Sequence, residues 1–158
     1  MKLYHGSNVE IEKIDLTKSR NYKDFGRAFY LSADEQQAWE RAYAAIATWG
    51  GVPSVSTFYF DEGLMESKEM KVLRFEAYTD EWADFIFANR NRTKPMFRHD
   101  YDIVFGPIAN DRVGEQIALL KGGYITKQRF LHKLKLMRGI TFQYAFCTEV
   151  AISKLKRL

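Results

Sequence analysis

Three side chains offer chemistry in this sequence: the imidazole of His5, the phenol of Tyr30 and the carboxamide of Gln143. His5 and Gly6 close a short apolar start, Leu3-Tyr4, that reads as a strand. Tyr30 lies in Phe25-Gly26-Arg27-Ala28-Phe29-Tyr30-Leu31-Ser32, a glycine turn feeding a buried strand. A strand ending in His-Gly and a second strand carrying an exposed Tyr form two walls of one slot. An aromatic face there suits a planar ligand, and a carboxamide can both donate and accept hydrogen bonds. Each residue alone has a plainer role. A lone histidine at a strand end is usually a satisfied polar group. Tyr30 alone reads as core, and Gln143 on an apolar strand can pair with buried backbone groups. Their joint occurrence is what points to a site.

The rest of the chain reads as scaffold. Residues 17–24 are polar and make a surface loop over the slot. Ser32 or Asp34 caps a helix in which Ala38, Ala42, Ala45, Ile46 and Trp49 recur at helical spacing, stopped by Gly50-Gly51. Strands are expected over 52–60 and 71–78, the latter from the alternation of Leu73, Phe75 and Ala77 with Arg74 and Glu76. Thr79 or Asp80 caps a helix with Trp82, Phe85, Ile86 and Asn89 inward. A compact strand over 102–105 ends at Gly106-Pro107. Helices follow over Val113–Leu120 and after Thr126, then a strand over 141–147 and a last helix capped by Thr148. Strands and helices mix without regular alternation, which argues α+β.

The 158 residues, 46% hydrophobic and 28% charged, suit one domain spanning 1–158. Cys147 is the single cysteine, so no internal disulfide can form, and a reducing, cytoplasmic setting is expected. No apolar run approaches the ~20 residues of a membrane helix, so no membrane partner is expected. A net charge of +4 permits a nucleic-acid or acidic partner without requiring one. The lysines and arginines after 127 read as a solvated helix face. His5, His99 and His132 are too scattered for a zinc site, and no metal is expected.

Five blocks carry a family resemblance: Leu3-Tyr4-His5-Gly6-Ser7, Phe25 to Ser32, Trp82 to Arg90, Asp100 to Arg112, and Phe142-Gln143-Tyr144-Ala145-Phe146-Cys147-Thr148. In this order they resemble the DUF3990 family, bacterial domains of unknown function placed in the ADP-ribosyltransferase superfamily, in its poly(ADP-ribose)-polymerase-like class. The resemblance implies split antiparallel sheets with flanking helices and NAD, as substrate, in the cleft between them. His5 would donate a hydrogen bond to a ribose hydroxyl. The Gly6 backbone would meet the nicotinamide carboxamide, with no Cβ to obstruct it. Tyr30 would stack on the nicotinamide. Ser7 and Arg27 complete the cofactor-binding set, Arg27 facing the pyrophosphate.

Gln143 stands where polymer-forming members carry Glu. It can bond the ribose but has no useful basicity, which implies mono-ADP-ribosyl transfer and leaves any general base unassigned. A second ring to sandwich the nicotinamide has no clear match; Trp39 and Tyr43 are the candidates. Glycosidic cleavage of NAD builds an oxocarbenium-like centre, helped by orientation and water exclusion. One well-placed hydrogen bond contributes about 3–4 kcal/mol in such sites.

The resemblance thus implies a mono-ADP-ribosyltransferase acting on a protein or nucleic acid. Family members often neighbour small proteins, which suggests a toxin with an antitoxin-like partner. A catalytically inactive NAD- or nucleotide-binding module of the same fold is the alternative. A basic RNA-binding or RNA-cleaving domain ranks last, for want of basic–aromatic interleaving in the five blocks.

Overall fold

The computed structural model describes residues 1–137 and 139–158, with every side chain among them but that of Asp111. In chain order the elements are β1 (Lys2–Ser7), β2 (Phe29–Leu31), α1 (Glu35–Trp49), β3 (Ser54–Tyr59), β4 (Val72–Arg74), α2 (Asp80–Arg90), β5 (Ile103–Pro107), α3 (Asp111–Lys121), α4 (Lys127–Lys135), β6 (Phe142–Phe146), α5 (Glu149–Ser153) and β7 (Lys156–Arg157). Each helix begins where a side-chain oxygen accepts an N–H that the first turn leaves unpaired. Asp34 accepts from Gln36, Thr79 from Trp82, Asn110 from Val113, Thr126 from Arg129 and Thr148 from Ala151.

Two sheets form. One has the order β1-β3-β7 and is antiparallel throughout. The other has the order β2-β6-β5-β4. Its β2–β6 and β5–β6 pairs are antiparallel, but β4 runs parallel to β5. This corrects the expectation of purely antiparallel sheets: the chain from β4 to β5 passes through α2, the kind of crossover that parallel neighbours need. A bridge between Tyr4 and Ser32 joins the sheets, with N···O distances of 2.8 and 2.9 Å.

The four-stranded sheet is apolar on both faces. Val104 and Ala145 face a cluster with Phe25, Trp82, Val113, Phe130 and Leu134. Ile103 and Phe146 face a second, with Leu3, Leu31, Phe58 and Phe60. Consecutive buried residues on one strand are the mark of a sheet covered on both sides. Each large side chain so buried contributes about 1.5–3 kcal/mol. The Trp82 indole also donates to the Pro107 carbonyl at 3.1 Å.

Four boundaries differ from the sequence expectation. The strand expected over 25–32 is regular only at Phe29–Leu31, because Gly26 (φ 83°) turns the chain ahead of it. The strand expected over 71–78 shortens to Val72–Arg74. Gly106 and Pro107 continue β5 rather than end it, opposite Gln143 and Phe142. β7, for which no strand was expected, pairs with β3. Among the described residues no helix is long and apolar enough to cross a membrane.

Candidate functional site

β2 sets the site. Strand alternation turns Tyr30 to the same face as its partner Ala145, while Phe29 and Leu31 take the other face. The Tyr30 hydroxyl donates to the Gly26 carbonyl at 2.6 Å and accepts from the Phe25 N–H at 3.1 Å. Burial holds its pKa well above the ordinary phenol value. The turn thus locks the ring by its polar end.

His5, on β1, stacks on Phe29 with centroids 4.2 Å apart. Its Nδ1 lies 2.7 Å from the Tyr30 carbonyl oxygen. A carbonyl only accepts, so Nδ1 carries the hydrogen. Burial pushes the His5 pKa down to about 4; the bond to Tyr30 opposes this, and the charges of Lys23 and Arg41 reinforce it. The ring is therefore neutral at pH 7, and Nε2 is an acceptor. This reverses the expected direction: a ribose hydroxyl would donate to His5, not receive from it.

Lys23 completes the arrangement. Its ammonium stands 4.8 Å from the Tyr30 ring centroid, a cation–π contact. Burial, with Arg41 and Arg20 nearby, pushes its pKa down to about 8 against the pull of Asp24. Asp24 in turn accepts from Arg90 Nε at 2.6 Å and ties the loop to α2. Arg20 lies over the Trp49 ring at 5.1 Å. The loop from 20 to 24 is thus pinned across the site by two cations on rings and one ion pair.

The remaining predicted residues are placed as follows. Gln143 is half-buried on β6, two residues from Ala145, and so shares the sheet face of Tyr30. Gly6 pairs with Val55, and a Cβ on it would stand 1.8 Å from the Ala38 carbonyl oxygen. The approach of α1 is by itself enough to require glycine there. The Ser7 hydroxyl turns to Asn8 at 3.4 Å. The Arg27 guanidinium, expected to face the pyrophosphate, donates to the carbonyls of Leu16 and Thr17, both at 3.0 Å, and clamps the first loop. Trp39 and Tyr43 lie one turn apart on an outer face of α1, 38% and 58% exposed, with centroids 6.2 Å apart. Tyr30 and Gln143 thus share one sheet face, whereas the His5 ring stacks on Phe29, which takes the other face, and reaches Tyr30 through its main-chain oxygen.

The family model described as "Protein of unknown function (DUF3990)" matches residues 1–157. The chain belongs to the DUF3990 family. No curated protein and no solved structure matches it. In this DUF3990 chain nothing in the residue pattern singles out Lys23 or Arg41. Lys23 lies in an unpatterned polar loop and Arg41 on an exposed helix turn, and only folding brings their charges to His5. Two carboxylates near the start of β5 are engaged by other residues. Asp100 pairs with Lys71 at 2.6 Å, and Asp102 accepts from the Thr148 hydroxyl at 2.6 Å and the Lys71 N–H at 2.9 Å.

Proposed function

We propose that this protein is an NAD-dependent mono-ADP-ribosyltransferase with an ADP-ribosyltransferase-like fold. The observation that carries this reading is the Lys23 ammonium on the Tyr30 ring. A locked phenol face that already holds one cation suits another, and the nicotinamide ring of NAD is a cation until it leaves. Displacing Lys23 would open the platform.

NAD brings a glycosidic bond whose breaking leaves positive charge on the ribose. The protein's part is to hold, orient and shield. Tyr30, fixed by Gly26 and Phe25, offers its ring without reorganising. His5, held by the Tyr30 carbonyl, presents Nε2 as an acceptor for a ribose hydroxyl, which draws electron density toward the sugar. Gln143 adds a neutral donor and acceptor on the same sheet face. With no carboxylate at that position, transfer stops after one unit. The acceptor is a protein or a nucleic acid. In a cytoplasm such an activity acts as a toxin restrained by a small antitoxin-like protein.

The test is labelled NAD with whole-cell lysate, comparing wild type with His5→Ala and Tyr30→Ala. Wild type should release nicotinamide and label a macromolecule, and digestion of the product with phosphodiesterase should give AMP alone. Both variants should lose activity by at least about a hundredfold. Absence of nicotinamide release by the wild type sinks the reading. The neutral Gln143 and the covered Tyr30 favour one rival, a nucleotide-binding module. That protein would bind NAD in calorimetry and leave it intact.

A further inference from the structure

Gly26, whose carbonyl holds Tyr30, lines a cleft of about 190 Å³, together with Tyr22, Asn89, Phe97, Arg98 and His99 among others. We propose that this cleft seats an unpaired base of a single-stranded nucleic acid.

Its walls are rings. Tyr22 is held in the left-handed region at φ 64°, which a bulky side chain rarely adopts and which clusters at functional sites. Arg92 lies over the Tyr22 ring at 5.1 Å. Phe97, 42% exposed, forms part of the lining. His99 is a fixed wall: Nδ1 accepts from the Tyr101 N–H at 3.2 Å, and Nε2 donates to the Phe25 carbonyl at 2.8 Å.

Among these rings sits one buried polar group. Asn89 is 5% exposed, and its nitrogen donates to the Phe85 carbonyl at 2.8 Å. Its oxygen faces the space over Gly26, where a Cβ would stand 2.9 Å away. That oxygen can accept from the N–H edge of a base. Among the described residues no acidic side chain lines the cleft, and Arg92, Lys94 and Arg98 are exposed along the adjoining segment. Rings for base faces, an amide for a base edge and cations for phosphates are the parts a single-strand site needs. An acidic peptide would use the cations and leave the rings and Asn89 idle.

As a binding site this stands apart from the transferase proposal; as the seat of the acceptor it rests on that proposal and names the acceptor class. The experiment is fluorescence anisotropy of a labelled twelve-nucleotide single-stranded RNA, without NAD, at two salt concentrations. Wild type should bind. Tyr22→Gly should weaken binding roughly tenfold or more without lowering the melting temperature, since glycine adopts φ 64° freely. Arg98→Gln should weaken binding and reduce the salt slope by about one, whereas Lys135→Gln on α4 should change neither. If Tyr22→Gly misfolds, Phe97→Ala replaces it. Undiminished affinity in the ring variant, equal affinity for duplex RNA, full displacement by AMP, or ring-dependent binding of poly-glutamate in place of RNA would each overturn the proposal. A failed nicotinamide assay leaves this measurement intact, so the two ideas fall separately.

Discussion

The Nδ1–H of His5 donates to the main-chain oxygen of Tyr30 across 2.7 Å, so the imidazole reads the backbone of β2. One hydrogen bond fixes the tautomer, and the tautomer fixes what His5 can offer a ligand.

The first prediction concerns acid. Burial lowers the His5 pKa from 6.5 to about 4. Between those values the unfolded chain binds a proton that the folded chain refuses. Stability is fully present above pH 6.5 and is lost as pH falls toward 4, by on the order of 2–3 kcal/mol. Urea unfolding at pH 7 and pH 4.5 should show this loss in wild type, beyond that in His5→Gln. Matching pH dependence in the two proteins would remove the buried neutral imidazole from the account.

Lys23 gives the second. Its pKa falls from 10.5 to about 8, so the folded chain resists the charge. From pH 8 to 10.5 the unfolded chain keeps a proton that the folded one has lost, and wild type gains stability as pH rises through that window. At pH 7 Lys23→Met should be more stable by about 1 kcal/mol, a figure discounted for partial solvent access. It should also show a lower KM for NAD, since the platform is uncovered. A higher KM would mean that Lys23 helps to bind NAD rather than competing with it.

Tyr30 separates ring from hydroxyl. Tyr30→Phe keeps the platform but strands the Gly26 carbonyl and the Phe25 N–H. It should lose about 1–3 kcal/mol of stability and retain NAD binding. Tyr30→Ala should lose NAD binding as well. Calorimetric titration with NAD beside thermal melting distinguishes them; equal NAD affinities would show that the ring is not the platform.

Gly6→Ala tests the packing of α1. A methyl 1.8 Å from the Ala38 carbonyl oxygen forces β1 and α1 apart. The cost should reach or exceed the roughly 1–3 kcal/mol of an overpacked core. A denaturation midpoint like that of wild type would show that α1 can shift freely.

Much of this architecture is local and could be read along the chain. Asp34, Thr79, Thr126 and Thr148 mark helix starts because a cap needs only an oxygen within reach of N–H groups two or three residues ahead. The inward stripe of Trp82, Ile86 and Asn89 follows from helical period alone. His5, Tyr30 and Gln143 drew notice because their blocks stand out in type and order.

The remainder depends on which distant surfaces meet. Nothing local in Val72–Arg74 says that it will lie parallel to β5, because strand direction is set by the path of the intervening helix. Lys156 and Arg157 become a strand only because the edge of β3 has unpaired groups to satisfy. The glycine at 6 is explained by a helix backbone more than thirty residues on, and Lys23 becomes part of a site only when its loop is drawn over Tyr30 by Asp24 and Arg90. The helix starts and the apolar stripes were legible along the chain, since they rest on contacts within a few residues. The tertiary structure alone decided His5's tautomer, the cation on the tyrosine and the cleft behind Gly26, since each needs low-dielectric surroundings built by residues far apart along the chain.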